Sequence, residues 1–196
     1  MTPPLYKSMG LRVGRASLVL GWLLIACAQL AGAQLADDAA ALERRVKAAY
    51  LFKIASYVEW PAGTFTEPAS PIRVAILGDD DLAAELAQIA EGRNVDGRPL
   101  AVRKTRDPDA ATEAHILFVG RPDIARLPQI SRNMRGKPVV IVTDSPGALN
   151  QGSVINFVLA DQHVKFEIAL DEAERRNVKL SSRLLGVAHN VRKAAP

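Results

Sequence analysis

The chain has 196 residues, 25 basic and 21 acidic, a formal charge of +4 and a single cysteine, Cys27. One thiol excludes a disulfide-stapled scaffold, and the roughly 160 residues beyond the leader suffice for one domain to bury a core without staples. The pI near 9.4 does not argue for nucleic acid, because Lys7, Arg12 and Arg15 belong to a leader without acids and the remainder is close to neutral.

That leader continues with "ASLVLGWLLIACAQL" (16–30) and "AGA" (31–33). A basic start, a short apolar run and an Ala-x-Ala site describe a secretory signal peptide over 1–33, cut after Ala33. The apolar run is short for a membrane span, which needs about 20 residues. "LIAC" (24–27) also fits a lipoprotein signal, with Cys27 lipidated, as the alternative. Both readings export the chain, and 34–196 is expected to be one domain.

From Asp37 a helical pattern runs to about Val58. Val46, Tyr50, Leu51, Ile54, Tyr57 and Val58 share one arc of about 140°. Lys47 falls inside that arc and is expected to snorkel past it. Phe52 projects elsewhere, and Pro61 stops the helix. "PIRVAILG" (71–78) reads as a buried strand, and "DDDLAAELAQIAEG" (79–92) as a capped helix with a Gly stop. Three more strands follow at "RPLAVRKT" (98–105), "HILFVG" (115–120) and "KPVVIVTDSPG" (137–147). Between the last two lies a helix, 121–136, that Pro128 interrupts.

Alternation of strand and helix predicts a mainly parallel open sheet flanked by helices. "GSVINFVLADQHVKFEIAL" (152–170) predicts a C-terminal antiparallel hairpin, with Ile155, Phe157 and Leu159 on one face and Val164, Phe166 and Ile168 likewise. A polar helix over 171–177 and a last helix over 181–193, capped by Ser181 or Ser182, complete a single α/β domain.

Chemistry-bearing patterns are sparse. "VAILGDDDLAAEL" (74–86) has the shape of a nucleotide turn but lacks the glycine signatures, and three acids stand where a phosphate would need bare N–H groups. Asp79, Asp80 and Asp81 with Asp144 suggest a Mg²⁺ pocket, but Lys137 precedes its strand, so a capped helix and a capped turn account for them. His115, His163 and His189 make no metal-ligand spacing and read as a strand end, a hairpin tip and a surface helix position. No catalytic residue, cofactor site or metal site emerges, and the expectation is a protein that is not an enzyme.

Two long segments carry a resemblance. "VKAAYLFKIASYVEWP" (46–61) resembles the opening of the YfiR-like family, and "INFVLADQHVKFEIALDEAERRNVKLSSRLLGVA" (155–188) resembles its closing hairpin and Ser-Ser-x-Leu-Leu helix. "GRNVDGRPLAVRK" and "HILFVG" fit in order between them. The resemblance implies a periplasmic repressor that binds the periplasmic part of an inner-membrane diguanylate cyclase such as YfiN, or a sensor kinase. It would lower cyclic di-GMP and biofilm formation. It also implies release by an outer-membrane lipoprotein and a homodimer.

Two departures limit the transfer. Residues 34–196 have no cysteine, so the disulfides of the characterised relative do not carry over, and Ala169 stands where Asn is expected. Glu59, Trp60, Glu167 and Arg183 are the partner-contact candidates: an aromatic anchor flanked by charge, a charge on the outer face of a strand, and a residue just past a helix cap. A small-ligand-binding periplasmic sensor is the alternative, with the loops after Gly78, Gly120 and Asp144 lining a crevice at the carboxyl ends of the strands.

Overall fold

The computed structural model describes residues 37–108 and 113–193, so the leader and Cys27 lie outside the described residues. By compactness the chain divides after Ala41. Of the first unit only 37–41 are described, as helix. The unit from Leu42 onward contains everything below except the first five residues of the helix that begins at 37.

Helix α1 spans 37–55 and does not reach Val58. Its end tightens, with Ser56 N–H donating to the Lys53 carbonyl (3.0 Å) and Tyr57 N–H to the Ile54 carbonyl (2.9 Å). Val58–Glu59 then forms strand β1, which pairs antiparallel with β9 (Lys179–Leu180). Helical periodicity through Tyr57 and Val58 is therefore overridden by a pairing with the far end of the chain.

The other strands are β2 (Ile72–Leu77), β3 (Asn94–Val95), β4 (Arg98–Thr105), β5 (Ile116–Val119), β6 (Val140–Thr143), β7 (Ile155–Ala160), β8 (His163–Ala169) and β10 (Asn190–Arg192). Among the described residues they form one eight-stranded sheet in the order β10-β8-β7-β6-β5-β2-β4-β3. The run β4-β2-β5-β6-β7 is parallel throughout. β7 and β8 make the expected antiparallel hairpin. Asp161 and Gln162 turn it with φ of 52° and 60°, the paired positive values of a type I′ turn.

Helix α2 (Asp80–Ala90) starts where Asp79 accepts a hydrogen bond from Leu82 N–H at 2.9 Å, so this acid is a cap. A 3-10 segment (Arg121–Arg126) leads into α3 (Leu127–Asn133). Pro128 therefore marks a helix start, where its missing N–H costs nothing. After α4 (Leu170–Arg175), Ser181 caps the short α5 (Ser182–Val187) through Leu184 N–H at 3.3 Å.

The expected helix over 181–193 thus ends early, and His189 lies beyond it. Asn190–Arg192 becomes β10, parallel to β8, and Arg192 fixes it by an ion pair to Asp171 (3.2 Å) and a hydrogen bond to Asn150 (2.7 Å).

Side-chain alternation divides the sheet between two cores. Ala48, Leu51 and Ile54 of α1 and Leu82 and Leu86 of α2 pack on Ile76, Phe118, Val142, Phe157 and Phe166. Leu127, Ile130 and Met134, from α3 and its end, cover Leu77, Leu117, Val119 and Ile141 on the other face. Leu51 and Ile54 are fully buried, each contributing about 1.5–3 kcal/mol relative to exposure.

Candidate functional site

The β1–β9 ribbon sets Glu59 opposite Lys179, and Ser181 N–H extends it with a bond to the Tyr57 carbonyl at 2.9 Å. Trp60 leaves one strand of this ribbon as Ser181 leaves the other to cap α5, whose first turn carries Arg183. The strands are antiparallel, so Glu59 and Trp60 lie at one end of the ribbon, while Ser181 and the start of α5 with Arg183 leave it at the other end, beside Tyr57. Glu59 and Arg183 are exposed. Neither makes an ion pair or hydrogen bond through its side chain among the described residues.

Trp60 is half-buried. Its ring stands edge-on to Phe65 (6.3 Å, 89°) and to His115 (5.5 Å, 63°), and Phe65 in turn lies under the Arg98 guanidinium at 3.9 Å. The indole Nε1–H is shielded and has no acceptor, an omission that costs about 1–3 kcal/mol. Trp60 is therefore both a core residue and the inner border of the exposed ribbon.

His115 is buried just ahead of β5, and its Nδ1 accepts the Arg73 N–H at 2.9 Å. Burial, then the Arg73 charge, lower its pKa to about 4, with a backbone hydrogen bond at Thr64 opposing and Arg98 adding to the fall.

Glu167 is placed elsewhere. Its register partners are Asn156 on β7 and Asn190 on β10, and it alternates with Phe166 and Ile168, which enter the α1-side core. Glu167 thus points to the opposite face of the sheet, into a cavity of about 340 Å³ with Asn156, Asn190 and Arg192. The structure does not bring it together with Trp60, which packs against the α1-side core.

Strand order reverses between β2 and β5, which opens a crevice at their carboxyl ends. Gly78 and Gly120 come so close there that a Cβ on Gly120 would lie 2.9 Å from the Gly78 carbonyl oxygen. The crevice, about 420 Å³, is lined by Gly78, Asp80, Thr105, Arg106, Asp123 and Arg126. Its carboxylates are already engaged, Asp80 with Lys104 (3.2 Å) and Asp123 with Arg126 (2.9 Å).

Asp144 does not line this crevice. It is buried beyond β6, where Lys47 Nζ binds its Oδ2 at 2.7 Å and also reaches Glu43 at 2.6 Å. Lys47 does not snorkel, because the apolar arc of α1 lies over the end of a strand that presents a carboxylate. Arg121 adds a contact to Asp144 at 3.5 Å, while Asp144 Oδ1 and Ser145 Oγ are buried without partners.

Arg176 is a further buried charge that the sequence does not mark as special. It is 2% exposed, and its guanidinium donates to the Met134 carbonyl (3.3 Å), Ser131 Oγ (2.8 Å) and the Gly152 carbonyl (3.2 Å). Burial lowers its pKa from the usual guanidinium value. The available signal is its spacing from Ala173, the buried residue of α4, since i and i+3 share a helix face.

The structure is thus an α/β scaffold whose strand-end carboxylates are paired with cations of the same chain, with Glu59 exposed and unengaged on the β1–β9 ribbon. The chain belongs to the YfiR/HmsC-like family, whose model matches residues 44–189. That is a family of periplasmic regulators acting in cyclic di-GMP signalling. A crystal structure of a conserved domain protein from Vibrio cholerae O1 biovar El Tor is also similar, at 7% identity and a TM-score of 0.47. The match covers 62% of this chain and 55% of the length of that one.

Proposed function

We propose that this protein binds the periplasmic part of an inner-membrane diguanylate cyclase, or a related sensor kinase, and holds it inactive. The contact surface centres on the β1–β9 ribbon and the start of α5. The observation that carries the reading is the exposed, unengaged Glu59 next to the half-buried Trp60 at one end of the ribbon, with the exposed, unengaged Arg183 just beyond its other end. Other charges near the sheet, such as Lys47 and Asp144, are used internally and are not available to a partner. Glu167 forms a separate contact on the other sheet face, from the second strand of the β7–β8 hairpin. Release by an outer-membrane lipoprotein and a homodimeric working unit rest on family membership alone.

The test is Arg183→Glu, Glu59→Lys and Trp60→Ala in the exported protein, with fold read by circular dichroism, partner binding by titration and output by cyclic di-GMP level. Reversal of a steering charge, or loss of the anchor, is expected to weaken binding by about tenfold or more and to raise cyclic di-GMP. Folded variants with unchanged binding and unchanged output refute the ribbon as the contact surface. The same measurements on Glu167→Ala decide its separate role.

A further inference from the structure

A cavity of about 640 Å³ lies between α3, the 3-10 turn Ala148–Gln151 and α4, and four arginines line it: Arg132, Arg135, Arg175 and Arg176. Glu172 is the carboxylate among its described lining residues, and it is held by Arg175 at 2.5 Å, with Asp171 supporting the same guanidinium at 3.5 Å. Arg132 is engaged by the neutral Gln129 Oε1 at 2.6 Å. Among the described residues, no carboxylate reaches ion-pair distance of Arg132, Arg135 or Arg176. Positive charge in this cavity therefore exceeds negative.

The floor is built rather than incidental. Arg176 is buried with neutral oxygens as its only acceptors, and its Nε has none. Glu172 offsets part of that charge but lies beyond ion-pair distance and is already held by Arg175, so an anion in the adjoining cavity would supply the paired counter-charge that the buried guanidinium lacks. Gly152 permits the arrangement. Its φ is +102°, and a Cβ there would lie 2.6 Å from the Ser131 Cβ and 3.7 Å from Arg176 Nη2. Only glycine lets the chain close against Ser131, whose hydroxyl in turn accepts from Arg176, in this way. The contrast with the crevice beside Gly78 is direct, since there each carboxylate already has its cation.

We propose that this cavity binds a small soluble ligand through a phosphate-type oxyanion, with Arg132 and Arg135 as the exposed clamps and Arg176 as the charge beneath. The volume suits a small metabolite, and guanidinium forks match the paired oxygens of a tetrahedral oxyanion. The strand-end crevice expected of a ligand sensor is a different place, so this site stands independently of the partner-contact ribbon.

The experiment is calorimetric titration of the full-length exported protein with inorganic phosphate and with pyrophosphate, at constant ionic strength against chloride. The comparison is the double variant Arg132→Glu/Arg135→Glu. Both side chains are exposed, so the variant is expected to fold, which circular dichroism checks. Saturable binding that weakens about tenfold or more in the double variant supports the site. Absence of saturable binding, or binding that the double variant leaves unchanged, overturns it and leaves Arg176 as a strut between α4 and the end of α3. Phosphatidylglycerol vesicles form the second arm: association with vesicles but with neither soluble anion overturns a soluble ligand in favour of a lipid headgroup.

Discussion

Acidification is expected to destabilise this protein through His115. The imidazole is 3% exposed, and its Nδ1 accepts the Arg73 N–H at 2.9 Å, so a proton on Nδ1 would set two donors against each other beside the Arg73 and Arg98 charges. A free histidine titrates near 6.5, and burial with these neighbours lowers His115 to about 4. Between those values the unfolded chain takes up a proton that the folded chain refuses. The stabilisation is therefore complete above about pH 6.5 and falls as pH drops towards 4, where the slope from this group ends. The whole interval is worth about 3 kcal/mol, or roughly 10 °C in melting temperature for a domain of this size.

Urea or thermal unfolding from pH 7.5 to 4, comparing the protein with His115→Gln, isolates the group. Carboxylate titrations are common to both proteins, and glutamine still offers an acceptor to the Arg73 N–H. The unsubstituted protein should lose the extra stability and the variant should not. Parallel pH profiles for the two, or an imidazole NMR resonance of His115 that titrates near 6.5, refute the reasoning.

Lys47→Met should cost about 3–5 kcal/mol by leaving the Asp144 carboxylate buried without its nearest cation, and Lys47→Met with Asp144→Leu should recover much of that loss. Urea unfolding of both variants checks it, and simply additive costs rule out the coupling. Mass spectrometry of the protein from the periplasm should find Gln34 at its N-terminus, whereas a lipidated Cys27 excludes cleavage after Ala33.

What the sequence makes legible is whatever depends on neighbours along the chain. The span of β4 is that of "RPLAVRKT", α2 begins at its Asp79 cap, and alternation exposes the β7–β8 hairpin. Features that depend on distant partners are not legible. β1 and β9 have two residues each and no periodicity, so nothing in either segment announces the other. Lys47 lies on an apolar arc that shows it must face inwards, but the acid that meets it is on β6. Arg175 and Arg176 look like one solvated pair, although one is exposed and the other forms the floor of a cavity. Of the four contact candidates, local pattern marks the charges and the anchor; tertiary pairing decides that Glu59 joins the ribbon that leads into Trp60 at one end and α5 with Arg183 at the other, and that Glu167 does not.

The ribbon also fixes when the contact surface comes into being. Val58 pairs with Leu180, so Glu59 and Trp60 have no fixed position until nearly the last segment of the chain has arrived. A chain crossing a membrane from its N-terminus presents its first helix long before Lys179 and Leu180 emerge. The surface that we assign to the partner is absent throughout that passage and appears only once the chain has cleared the membrane almost completely. Pairing of such high sequence separation also forms late in folding. Under the proposed contact surface, a chain that lacks β9 has no partner surface, because it keeps Trp60 without the ribbon that positions it.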